Sequence, residues 1–311
     1  MLKPKAALPH HHWDSLSDEQ LLDLELQVDD PRTLPGLVFE IPEGEEEPHV
    51  EFKYDLRGQE IEEFSCVHGH HRHKAGFVIR KGGARFMVGW QCGKTIYGED
   101  FDRYTADYDA AVNRRDALVR IRDLRQAIER FKVWVEQIDE SGAIRAFAKL
   151  RGTLNHQMPW VYDHLPAMSA LDARVVGPTV PRHLCSENTD IKLEFGRLMT
   201  ETAALLLTFA GDPQKLGTAL PGLRTKVDGL ANRGETIVNK LDNVVQFFQP
   251  AVLDLIVKHA NEHDNPKRRR YQSGLLSLMV RGIDKSEVHL DPDFKVPSRQ
   301  PIEALRKAAA A

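Results

Sequence analysis

Two apolar seams at heptad spacing constrain the folding of this 311-residue chain more than any other feature. In the first, Ile121, Leu124, Ile128, Phe131, Val135 and Ile138 recur at alternating steps of three and four. Such steps put every member on one stripe of an α-helix, and charged residues fill the positions between them. The second seam runs Leu223, Val227, Leu230, Gly234, Ile237, Leu241, Val244, Phe248. Gly234 sits on it, where a missing side chain would let another backbone approach closely. Stripes this long must be buried. An antiparallel bundle within one chain buries both, and a coiled coil between two copies is the alternative.

Punctuation sets the helix limits. The first long helix should span roughly Asp102 to Ile138 and stop at Ser141-Gly142, with a second stretch from about Ala143 to Met158. Pro159 to Pro181 reads as a connection. Helix resumes at Thr189 or Asp190 and runs to Gly211, Asp212-Pro213 opens the next, and after Pro250 a further helix reaches about His263. The proline-bearing tail after Asp291 ends in alanines and should fray. At the other end, Ser15 or Ser17 caps a short helix through Leu21, Leu22 and Leu24. The rest of residues 1–49 reads as an acidic, partly disordered arm with little core.

Charge is unevenly distributed. The net of −4 combines 17 acids against 5 bases in residues 1–65, 6 bases against 2 acids in residues 66–100, and 31 bases against 27 acids in the remainder. The acidic arm is therefore no surface for nucleic acid, whereas the basic segment qualifies as one. No run reaches the roughly 18 apolar residues a membrane span requires, and Met1 to Lys5 lack the apolar core of a signal peptide. Three cysteines are too few for a disulfide framework and point to a reducing, cytoplasmic setting.

Two of those cysteines bracket the most chemically loaded stretch. Cys66-Val67-His68-Gly69-His70-His71-Arg72-His73 precedes a β-hairpin, and Gly89-Trp90-Gln91-Cys92-Gly93 follows it. The hairpin is read from two β-favouring runs, 76–80 and 84–88, separated by Lys81-Gly82-Gly83, since glycine accepts φ > 0 in a tight turn. With Gly82-Gly83 as the turn, Ile79 faces Phe86 and Phe77 faces Val88. Extending the ladder would bring Ala75 to Trp90 and His73 to Cys92, about 4.5–5.5 Å apart at Cβ. A further strand with Val50, Phe52 and Tyr54 on one side lies just upstream.

Thiolate and imidazole are the ligands zinc prefers, and a structural site takes four of them. Cys66 and Cys92 are the firmest candidates, and two imidazoles from His68, His70, His71 and His73 complete the shell. His73 has the ladder argument. His68 and His70 lie in a loop whose Gly69 lets the backbone wrap an ion, and they rank ahead of His71. A segment this small cannot bury a core of its own, so one Zn2+ ion would contribute folding energy. Residues 64–98 resemble a treble-clef or knuckle-type zinc finger, in which a ligand pair ending in glycine, a hairpin and a Gly-x-x-Cys before a helix share one ion. Here the first pair is Cys66 and His68, and no Cys or His follows Cys92 within a helical turn. The histidine run must then supply two ligands.

These readings describe a mainly α fold with a small α+β zinc module. The expected parts are an arm (1–49), a metal-bound β-hairpin module (50–100), a bundle of heptad-patterned helices (101–290) and a flexible tail (291–311). The favoured function is non-catalytic: a zinc module whose Lys74, Arg80, Lys81, Arg85 and Lys94 contact DNA or RNA phosphates. The cluster Lys267-Arg268-Arg269-Arg270-Tyr271 could add contacts. A structural or assembly protein is the alternative, binding a protein partner or itself through the heptad helices. A metal-dependent hydrolase, with Glu62, Glu63, Glu99 or Asp100 as base, is the third.

Overall fold

A computed structural model describes residues 12–60, 62–69, 71–172, 181, 184, 190–211, 213–264, 269–282 and 285–311. The chain divides into two units, residues 1–120 and 121–311. The fold is mainly α with small antiparallel sheets. Among the described residues no helix is long and apolar enough to cross a membrane.

The first unit opens with α1 (Asp18–Asp23), whose start is fixed by a capping box: the Ser17 hydroxyl accepts the Gln20 N–H, and the Gln20 side chain accepts the Ser17 N–H. Then follow β1 (His49–Asp55), β2 (Phe64–Ser65), β3 (Arg72–His73), β4 (Ala75–Lys81), β5 (Ala84–Val88), α2 (Trp90–Tyr97) and α3 (Glu99–Glu140). Strands β1, β4 and β5 form one antiparallel sheet with β4 in the centre. Gly82, at φ +60°, closes the β4–β5 turn, and the register is the one read from the sequence, with Lys81 facing Ala84, Ile79 facing Phe86 and Phe77 facing Val88.

Both faces of that sheet are covered, which changes the reading of the N-terminal arm. On one face Val50, Phe77, Ile79, Phe86 and Val88 share a core with Phe101, Tyr104 and Tyr108 of α3 and with Trp13, Leu21 and Leu26. On the other, Phe52, Tyr54, Phe64, Val78 and Met87 pack with Val28, Leu34 and Leu37. The Trp13 indole donates to the Val50 carbonyl at 3.2 Å, and Val38 and Gly36 exchange backbone bonds with Arg85. The arm thus caps a sheet whose two apolar faces a 50-residue module could not shield alone. Trp13, Leu21 and Leu26 are the arm's buried apolar residues in the core shared with α3.

The second unit takes the remainder of α3, then α4 (Ala143–Gln157), α5 (Pro159–Asp172), α6 (Ile191–Phe209), α7 (Pro213–Phe247), α8 (Pro250–His263), β6 (Arg269–Gly274), β7 (Ser277–Gly282), β8 (Ser286–His289) and α9 (Gln300–Ala310). Both heptad seams lie in one core within one chain. At Gly234 a Cβ would stand 3.1 Å from Cζ of Phe131. The missing side chain therefore accommodates a ring from the first seam rather than a neighbouring backbone.

Three stretches differ from the sequence reading. The expected connection after Pro159 begins as α5, because a proline at the start of a helix loses only an N–H that would have no intrahelical partner. The basic stretch at Arg269–Arg270, where the sequence suggested no strand, opens β6, in a three-stranded antiparallel sheet with β7 and β8. The tail ends in α9, which buries Ile302, Leu305 and Ala309, while Arg299 binds Glu235 and Asp242 of α7.

Candidate metal centre

The ladder that was to bring His73 opposite Cys92 ends at Val88. Gly89 becomes the N-cap of α2, and Cys92 sits in its first turn. His73 instead pairs with Phe64 in the short β2–β3 ladder. The reason is local: once Trp90 enters a helix the strand partner is gone, and Ala75 to Lys81 pair on their other side with β1.

The chain nonetheless carries the two thiols together by another route. The β2–β3 ladder closes the loop that holds the histidines, with the Cys66 N–H donating to the His71 carbonyl at 2.9 Å and Gly69 at φ +67°. The Val67 N–H donates to the Met87 carbonyl at 3.2 Å and ties this loop to β5. Cys66 and Cys92 are both buried and reduced, and they lie near enough for Cys66 to act on the Cys92 thiol. The Cys92 thiol also donates to the His68 carbonyl at 3.8 Å. Burial, then the Cys66 thiol, pushes the Cys92 thiol up to about 11. Burial, then the charge of Cys66, likewise raises the Tyr54 phenol. A buried thiol such as that of Cys92 ionises readily only beside a compensating cation.

The imidazoles are arranged less tightly. His68 is exposed and contributes its carbonyl to the thiol pair, while the exposed His71 folds its ring over Gly69. His70 lies outside the described residues. His73 is half-buried, with Nδ1 3.0 Å from the Tyr54 hydroxyl and a buried Nε2 that has no hydrogen-bond partner. Burial holds this imidazole below its usual range, against the opposing pull of the Glu63 carboxylate. Among the described residues no imidazole nitrogen or carboxylate oxygen joins both thiols within 4.8 Å. The donor pair fits zinc; the remaining ligands are not gathered around it. Tyr54 as the partner of His73 was missed, although the Val50-Phe52-Tyr54 alternation put it on a single strand face.

The basic hairpin is electrostatically occupied. Glu51, on β1, binds Arg85 Nε at 2.6 Å and Arg80 Nη1 at 3.2 Å. Desolvation alone would raise the Glu51 carboxyl, but the Arg85 and Arg80 guanidiniums hold it below the usual carboxylate range. Lys94 pairs with Asp102 at 3.2 Å, and Lys81 and Lys74 donate to the Pro42 and Gln59 carbonyls. By contrast, Arg270 and Arg281 face each other across β6 and β7, both exposed, and neither has an ion-pair partner among the described residues.

Comparison with family models, curated proteins and solved structures finds no match. The site therefore rests on its own chemistry.

Proposed function

We infer that the chain is a non-catalytic zinc-binding protein in which one ion staples the first unit. The observation that carries this reading is a pair of buried, reduced cysteines brought to one place, with the Cys92 thiol donating to the carbonyl of His68, two residues beyond Cys66. Zinc would replace their protons, with two imidazoles from His68, His70 and His73 completing the shell. His73 supports its own candidacy through the Tyr54 bond: with Nδ1 engaged, Nε2 is left for a cation, the usual arrangement of a ligating histidine. Cobalt substitution of the full chain tests the site. A sulfur-to-cobalt charge-transfer band that disappears in Cys92→Ser supports it, and a spectrum without that band opposes it.

A second reading, contact with DNA or RNA phosphates, has moved from the first hairpin to the second. The cations of the first are paired with Glu51 and Asp102. Opposed like charges on neighbouring strands destabilise a sheet unless an anion lies over them, and Arg270 and Arg281 are such a pair. Salt-sensitive binding of single-stranded or duplex DNA and RNA, weakened by Arg270→Gln and Arg281→Gln but not by Arg80→Gln, supports this reading. Equal loss from all three, or no binding, counts against it.

A further inference from the structure

The geometry points to a second divalent-cation site, formed by His259, Glu262 and His263 on the last turn of α8. It is independent of the thiol pair. Spacings of three and four place these residues on one helical face, and one ligand atom from each lies within 4.8 Å of the others. Among the described residues this is the only group of three such side chains to converge so closely.

The tautomer of His263 suits ligation. Its Nδ1 lies 3.0 Å from the His259 carbonyl oxygen, which can only accept. The ring proton therefore sits on Nδ1, and Nε2 carries the lone pair. The neighbouring His259 ring is 5.1 Å away, centroid to centroid. Glu262 is exposed and has no cation partner among the described residues. The negative end of the α8 dipole, with its unpaired carbonyls, also favours a cation at this turn.

The turn is held from behind. The Asn261 side chain both donates to the Tyr271 carbonyl at 3.0 Å and accepts the Tyr271 N–H at 2.8 Å. The Tyr271 hydroxyl donates to Asp264 at 2.7 Å. Three donors on a helical turn clamped to β6 need little reordering to bind. Two imidazoles and one carboxylate select a late first-row ion, Zn2+, Ni2+ or Cu2+, over Mg2+ or Ca2+, with water filling the remaining positions. Bound there, the ion would brace the last turn of α8.

The test uses substoichiometric Cu2+ as a paramagnetic probe of the 15N-labelled full chain. A background of Cys66→Ser and Cys92→Ser keeps any result separate from the thiol site. The expected result is broadening centred on residues 259–264 and on Tyr271 to Ser273, abolished by His259→Gln with His263→Gln. Because His263 is exposed and His259 half-buried, the double variant should keep the wild-type amide spectrum elsewhere. Glu262→Gln should weaken the broadening while leaving it centred on the same turn. Amides of that turn that stay sharp in the parent chain, or broaden equally in the double variant, would overturn the proposal.

Discussion

The thiol of Cys92, in the first turn of α2, donates to the carbonyl of His68 at 3.8 Å, two residues beyond the buried Cys66 in the histidine loop. Two elements distant in sequence thus converge on one buried point. Zinc there would form a closed charge-balanced site. In the His259→Gln, His263→Gln background, metal removal by a chelator should therefore lower the stability of the first unit and leave the second unchanged. Unit-resolved hydrogen exchange with and without chelator checks this.

Leu21 is fully buried in the core that the N-terminal segment builds over the β1–β4–β5 sheet. Leu21→Ala should cost about 2–5 kcal/mol, the range for deleting a buried leucine side chain. Were residues 1–49 a loose arm, the loss would be under about 0.5 kcal/mol. Urea denaturation separates the two.

Gly234 and Gly196 are both helical, yet alanine should act oppositely at the two. A Cβ at 234 would press on the buried Phe131 and Trp134 rings, at 3.1 and 3.3 Å. Overpacking of about 1–3 kcal/mol outweighs the helix-propensity gain of about 1 kcal/mol, so Gly234→Ala destabilises. At Gly196 a Cβ meets nothing within 4 Å, and Gly196→Ala should stabilise by about 0.5–1 kcal/mol. Thermal unfolding of the two variants reads the difference in sign.

His49 stacks on His12, with ring centroids 4.1 Å apart. Burial, then the charge of His12, depresses its imidazole to about 4. The unfolded chain therefore takes up the proton first, near pH ~6.5. Stability is intact above that pH and is lost as pH falls toward about 4, by about 2 kcal/mol from this group. His49→Gln should remove that part of the acid sensitivity. Denaturation midpoints of both proteins across this window check it.

Most of the helical architecture was legible because period and punctuation agree. Leu223 to Phe248 mark one stripe, Ser15 or Ser17 marks a cap, and the double glycine marks a turn. The β6–β8 sheet was not, and its turn shows why. Leu275-Leu276 joins β6 to β7 without glycine or asparagine, and Leu276 takes φ +59°. Only Tyr271, Leu278, Val280 and Val288 among its longer apolar residues are buried, too few to set an alternating pattern. At the metal centre, residue types and the hairpin register were readable. Where each imidazole points depends on tertiary partners such as Tyr54, and no spacing rule encodes that.

Leu276 also offers a test of that turn. A leucine in the left-handed region costs about 1–2 kcal/mol, so Leu276→Gly should recover about 1 kcal/mol if the turn is as described. Loss of stability on this substitution, read by urea denaturation, would mean the residue's packing outweighs its strain.

The account stands or falls on the metal carried by the thiol pair. Elemental analysis of the full chain, purified without metal-affinity steps, should find close to one zinc per chain in the His259→Gln, His263→Gln background. The same measurement should find none after either Cys66→Ser or Cys92→Ser. Zinc retained in both serine variants, or absent from the parent, would contradict it.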